Sequence, residues 1–300
     1  WLTCLLLTSL WPIALQLDWV PLAEGRNRLA AALLLVRPVA FLGLLLLAPA
    51  AIAPPTLAWF FLAAWWLAAI ASWPCLLSVH RRLAIIGRAP DLRSLLRLAL
   101  PVAAATLASQ LLIGLDILVV GIRLGPADAA FYHLASAVLV AGLVVANGLG
   151  QAALARMAAR ATLPAAFRAA LAADLKLVLG VAMIVAATVL LTAPVLLPLA
   201  FGRAYAPVVD LLVWLLPWFV LQHATTVLLA AMIAARLAEQ LLKATGWMVV
   251  ILLPALALAW LIGDLRAFAV ARGLAELVRL VVLWQLLGRA HRPVGNALQA

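Results

Sequence analysis

LALPVAAATLASQLLIGLDILVVGIRLGPADAAFY, Leu98 to Tyr132, decides how the rest of the chain is read. It leaves a basic segment, runs apolar for about the ~30 Å thickness of a bilayer core, and closes on Gly125–Pro126. Asp116 lies inside the apolar run. A carboxylate there costs about 3 kcal/mol or more unless protein, water or a partner receives it, so its presence asks for a function.

Composition agrees with a membrane-spanning reading. Hydrophobic residues make up 69% of the 300-residue chain and charged residues only 10%. The mean hydropathy is +1.21. A water-soluble domain carries about 25% charged residues, so the chain is predicted to be an all-α polytopic membrane protein. The net charge of +11 would suggest nucleic acid in a soluble protein. Here the cations fall in short segments between apolar spans, where they set topology and face anionic lipid; no nucleic-acid partner is expected. Cys4 and Cys75 lie in apolar runs without CxxC spacing and read as packing residues.

About nine spans emerge at Leu2–Leu17, Leu29–Leu47, Thr56–Val79, Leu98–Ile122, Ala129–Ala153, Leu175–Leu199, Val208–Ala234, Thr245–Ile262 and Ala267–Leu287. A helix continuous from Ala165 to Leu199 exceeds the bilayer, so its Arg168–Lys176 end is expected to project from it. With the loop His80–Arg97 placed in the cytoplasm and the sides alternated, fourteen Lys and Arg fall inside. Only Arg123, Arg203 and Arg266 fall outside. That bias puts the C-terminus in the cytoplasm. Trp1 begins within a hydrophobic segment that has no basic leader, so the segment is not a signal peptide, and an odd number of helices is expected upstream. Pro74, Pro101, Pro194, Pro198, Pro217 and Pro254 are expected to break or kink their spans.

The opening stretch resembles the first helix of the second lobe in bacterial polysaccharide flippases of the O-antigen type. The matching residues are Asp116, Gly121, Leu124-Gly125-Pro126, and Tyr132 with Ala135. QLDWVPLAEGRNRLAAALLLVRPV (Gln16–Val39) resembles the family's helix-five region, and PLAFGRAYAPVVDLL (Pro198–Leu212) its outer Phe-Gly turn, with Phe201, Gly202, Tyr205 and Ala206. The resemblance implies two bundles of six helices. Residues 1–88 would be the truncated end of the first, with three helices present and three missing. Residues 89–300 would be a complete second lobe, with the segment His80–Arg97 between the lobes. It further implies a multi-pass protein of the bacterial inner membrane that moves a polyprenyl-pyrophosphate-linked oligosaccharide across it by alternating access. Glycan polymerase and glycosyltransferases would act beside it in O-antigen and lipopolysaccharide assembly.

Polar residues inside spans are the candidate site. Arg37, beside Pro38, is too deep for easy snorkelling and is the expected anion contact. Asp116, Asn147 and Gln151 are expected to meet sugar hydroxyls or to gate; Asp116 could instead pair with an arginine of a neighbouring helix. Arg272, Glu276 and Arg279, spaced four and three apart, share one helix face and read either as a self-neutralising ladder or as gating charges, with His223 a further gating candidate. His80, His133, His223 and His291 show no metal-ligand spacing, and there are no paired carboxylates, P-loop or nucleophile elbow. No enzyme activity, metal or cofactor is therefore expected. Two other readings fit the same residues. A drug or cation antiporter of the same superfamily would use Asp116 as its acid. A non-transporting membrane subunit of a polysaccharide synthase would seal Arg37 and Asp116 in pairs.

Overall fold

The computed structural model describes residues 27–47, 54–86 and 92–290. The expected span Leu2–Leu17, Cys4, the first part of the Gln16–Val39 motif and the last ten residues lie outside the described residues. The described residues form eight α-helices and one short 3-10 turn: α1 (Asn27–Leu46), α2 (Pro54–Ile86), α3 (Leu92–Leu124), α4 (Pro126–Ala158), α5 (Pro164–Phe201), the turn Arg203–Tyr205, α6 (Pro207–Ala234), α7 (Ala238–Ile262) and α8 (Leu265–Ala290). The described residues are all-α, and the chain is a multi-pass membrane protein.

Helix boundaries follow local chemistry. α2, α4, α5 and α6 each open on a proline, whose fixed φ suits the first helical turn and whose missing N–H would have been unpaired there. Gly125 before α4 and Gly202 after α5 hold φ of 102° and 90°, with ψ of 172° and 163°. That backbone is open essentially to glycine alone, which explains glycine in the Leu-Gly-Pro and Phe-Gly turns.

The helices differ from the expectation in three respects. The basic segment His80–Arg97 is largely helix: α2 continues to Ile86 and α3 begins at Leu92, so it is not a long loop. Arginine and leucine are good helix formers, and helices need not stop at the membrane surface. At 33 residues each, α2 and α3 are about 50 Å long at ~1.5 Å per residue, well beyond the hydrocarbon core. The prolines do not interrupt the helices either. Pro38, Pro74, Pro101, Pro194, Pro198, Pro217 and Pro254 all lie inside unbroken helices. Finally, five segments among the described residues are long and apolar enough to cross a membrane: Leu100–Leu124, Pro126–Ala158, Pro164–Phe201, Arg203–Ala234 and Ala238–Ile262. Leu35–Leu44 and Trp59–Cys75 are shorter apolar helices. α8 falls below the threshold of apolarity because it carries Arg272, Glu276 and Arg279, all of them buried.

The chain divides into two compact units, Trp1–Asp91 and Leu92–Ala300. In the first, α1 and α2 pack against each other. Leu33 and Cys75 are buried at one level. Arg37 lies over the Trp65 ring and Phe41 meets Phe61 edge-on further along, so the two helices run antiparallel. Cys75 is buried in that packing, as its apolar setting suggested.

In the second unit the helix contacts close a ring: α3 packs on α4, α4 on α6, α6 on α8, α8 on α7 and α7 back on α3. α5 lies outside this ring, against α4 and α6. Lipid supplies no hydrophobic drive between helices, so close approach through small residues matters. The α4–α6 seam shows it: a β-carbon on Gly150 would sit 2.7 Å from Thr226 Cγ2, and one on Gly142 3.1 Å from the Phe219 ring. Arg156 of α4 and Asp174 of α5 pair at 2.6 Å near the turn that joins those helices. The Tyr205 ring meets Phe131 in a T-shaped contact and Phe201 at a tilt, tying the Phe-Gly turn to the start of α4.

Candidate functional site

All five ring helices line a cavity of about 330 Å³, while α5 contributes nothing to it. That is within the ~300–1,000 Å³ typical of small-molecule sites. Its wall is mixed in chemistry. Aliphatic residues alternate with Thr106, Ser109, Asn147, Gln151, Gln222 and Thr226, and charge comes from Asp116, Arg272 and Arg279.

Asp116 is 1% exposed. Its Oδ2 accepts from the Tyr132 hydroxyl at 2.9 Å and from Arg272 Nη1 at 3.1 Å, and its Oδ1 accepts from the Ile117 amide at 2.9 Å. Three elements meet here: Asp116 from α3, Tyr132 from the second turn of α4, and Arg272 from α8. The last is 156 residues further along the chain. Arg272 Nη1 also donates to Ser136 Oγ at 3.2 Å, and the guanidinium lies 3.7 Å from the Trp218 ring centroid. A cation over an indole face is attracted by the ring quadrupole, so Trp218 fixes the plane of the guanidinium while Asp116 fixes its edge.

The ladder on α8 is split. Arg272 turns to Asp116 on another helix, leaving Glu276 to its other neighbour, Arg279, at 3.7 Å. With the Gln222 amide oriented nitrogen-first, it donates to both Glu276 oxygens at 3.2 and 3.1 Å. Asn147 and Gln151 lie one turn apart on the cavity side of α4 and are not among the hydrogen-bond partners of Asp116 and Arg272. His223 is buried on α6 with Nδ1 2.9 Å from the Phe219 carbonyl oxygen; it does not line the cavity, and its Nε2 is without a partner. Arg37 belongs to the first unit, exposed, with its guanidinium 4.4 Å from the Trp65 ring centroid. Among the described residues, no group of three His, Cys, Asp or Glu is placed to hold a metal ion.

Ser136 and Trp218 were not singled out from the sequence. Ser136 follows Tyr132 by four residues and so shares its helix face, and Trp218 precedes Gln222 by four, on the face that meets the cavity. Either spacing could have flagged them once Tyr132 and Gln222 were under suspicion.

The folded arrangement matches solved structures. One is described as an outward-facing conformation of a multidrug resistance MATE family transporter of the MOP superfamily, with a TM-score of 0.72 and 15% identity. That likeness covers 91% of this chain. The second is a MATE crystallised in complex with MaL6, also with a TM-score of 0.72 and 15% identity, covering 96% of this chain. The chain shares the fold of these two structures. It spans 65% and 70% of the lengths of those two chains. No protein-family model and no curated protein matches the sequence. At this identity the likeness carries the fold and not the cargo.

Proposed function

We propose that the protein translocates a lipid-linked oligosaccharide, a glycan on polyprenyl pyrophosphate, across the bacterial inner membrane by alternating access. The observation that carries this reading is a hydroxyl- and amide-lined cavity inside a bundle of lipid-spanning helices, whose carboxylate Asp116 is already neutralised by Arg272. Hydroxyl and amide groups serve a polar sugar, while a carboxylate saturated by an internal cation is ill suited to a cationic drug or a free metal ion. Asn147 and Gln151 then meet sugar hydroxyls, Arg37 supplies a cation from the first unit, and Asp116 with Arg272 forms a gating pair that opens when the helices carrying them separate. Arg272, Glu276 and Arg279 are the charges through which α8 responds to cargo. Glycosyltransferases act on the lipid-linked glycan before translocation and a polymerase after it.

The test is reconstitution in vesicles carrying a polyprenyl-diphosphate-linked oligosaccharide, with membrane-impermeant periodate as the reporter of outer-leaflet sugar. Time-dependent oxidation of the inner pool, seen only in protein-containing vesicles, is the expected result. An inner pool that stays protected while a lipophilic cation is exported would assign the chain to drug transport instead.

A further inference from the structure

Arg272 and Arg279 are seven residues apart on α8, which puts them on one face about 10.5 Å apart along the axis. Both are buried, at 3% and 4% exposure, and both line the cavity. Each carries a nitrogen with no hydrogen-bond partner: Nη2 of Arg272 and Nε of Arg279. Arg279 is also loosely held. Glu276 Oε2 stands 3.7 Å from its Nη1, beyond hydrogen-bond range, and the acceptor of that nitrogen is the weak thioether sulfur of Met248 at 3.9 Å.

A guanidinium only donates and keeps its proton, so what completes these two nitrogens is an acceptor. Among the described residues the nearby acids leave them open: Asp116, the acid lining the cavity, already takes three donors, and Glu276 stands 3.7 Å from Arg279, beyond hydrogen-bond range. The strongest acceptors for guanidinium are carboxylate and phosphate oxygens. Asp116 and Glu276 balance the two guanidinium charges at longer range, so short-range hydrogen bonding, more than net charge, selects the ligand. Two donors separated by two helical turns favour a ligand with acceptor oxygens at two centres, and linked phosphates provide that where a single phosphate reaches one arginine.

We propose that Arg272 and Arg279 form a diphosphate-binding subsite inside the second unit. This deepens the reading above, on which it rests for the source of the diphosphate: the headgroup of the lipid-linked glycan. Gln222 and Met248 flank the subsite, and Asn147 and Gln151 lie in the same cavity for the sugar that the diphosphate carries.

The experiment is calorimetric titration of inorganic pyrophosphate and inorganic phosphate into the protein in nanodiscs of uncharged lipid. Pyrophosphate is expected to bind at least tenfold more tightly than phosphate. Arg279→Gln should weaken it about tenfold or more, the effect of losing a charge-assisted hydrogen bond. Because that variant leaves Glu276 uncompensated, Glu276→Gln with Arg279→Gln removes both charges together and should show the same loss. Nanodiscs loaded with a polyprenyl diphosphate should show the inorganic ligand displaced, and failure to displace it marks a free-anion site and overturns the headgroup assignment. Equal affinity for phosphate and pyrophosphate, or pyrophosphate binding unchanged in both variants, overturns the subsite. Oligosaccharide translocation that persists in the double variant after its pyrophosphate binding is lost also overturns it, while leaving the proposed function intact. Pyrophosphate binding that needs Arg279, in a parent protein that translocates no glycan, would keep the subsite and remove the function.

Discussion

Asp116 Oδ2 and Arg272 Nη1 stand 3.1 Å apart, joining the first helix of the second unit to its last. The pair fastens α3 to α8 through side chains, since those two helices share little direct packing compared with α3 on α7 or α8 on α6. Breaking a buried pair by removing one member leaves the other charge uncompensated, at about 3–5 kcal/mol. Asp116→Asn is therefore expected to lower the unfolding midpoint in detergent sharply, and Asp116→Asn with Arg272→Gln to recover much of the loss. A single variant as stable as the parent would show that the pair does not hold α3 to α8. Where Asp116→Asn is stably inserted yet exports no glycan, the charge serves transport and not only architecture.

Gly148 and Gly150 on α4 provide an internal contrast. A β-carbon on Gly148 meets nothing within 4 Å, whereas one on Gly150 would meet Thr226 Cγ2 at 2.7 Å. Thr226 has little freedom to yield, because its hydroxyl donates to the Gln222 carbonyl at 2.9 Å. Gly150→Ala is expected to destabilise by about 1–3 kcal/mol through overpacking. Gly148→Ala should be neutral, or stabilising by up to about 1 kcal/mol from helix propensity. Thermal unfolding of the two variants side by side decides it, and equal effects would mean that the α4–α6 seam is looser than described.

Arg37 rests on Trp65 and is exposed. If its role is to supply a cation to the cargo, Arg37→Ala should cut glycan export about tenfold or more at unchanged abundance. Arg37→Lys should retain part of the activity, since the charge remains while the planar fork is lost. Export at the parent rate by the alanine variant would reduce Arg37 to a cation–π anchor on Trp65.

Orientation is testable at two exposed turns. A cysteine placed at Thr162, between α4 and α5, is expected to react with an impermeant maleimide only from the cytoplasmic side, and one at Ala204 only from the opposite side. The reverse pattern would invert the topology.

Much of the fold was legible before any coordinates because lipid is an exacting solvent. Runs of about 20 apolar residues have to be helices there, which places α3 to α7, although α3, α5 and α7 begin well before their apolar spans, at Leu92, Pro164 and Ala238. The Leu124-Gly125-Pro126 and Phe201-Gly202 turns were legible for a related reason, since glycine and proline each suit a backbone that other residues avoid. α8 shows where this reasoning weakens. Its charges lower its hydropathy, and only its burial against α6 and α7 explains how they are tolerated.

The sequence by itself determined that Asp116 needs a partner and that Arg272, Glu276 and Arg279 share a helix face. It did not determine that Arg272 would pass over Glu276, one turn along its own helix, for Asp116, Ser136 and Trp218 on three other helices. Helical periodicity states which side of a helix a residue occupies and is silent on which helix stands opposite. That choice was made by the order in which the ring closes, with α7 and α8 returning to α3, and the order is set by packing between segments far apart in the chain.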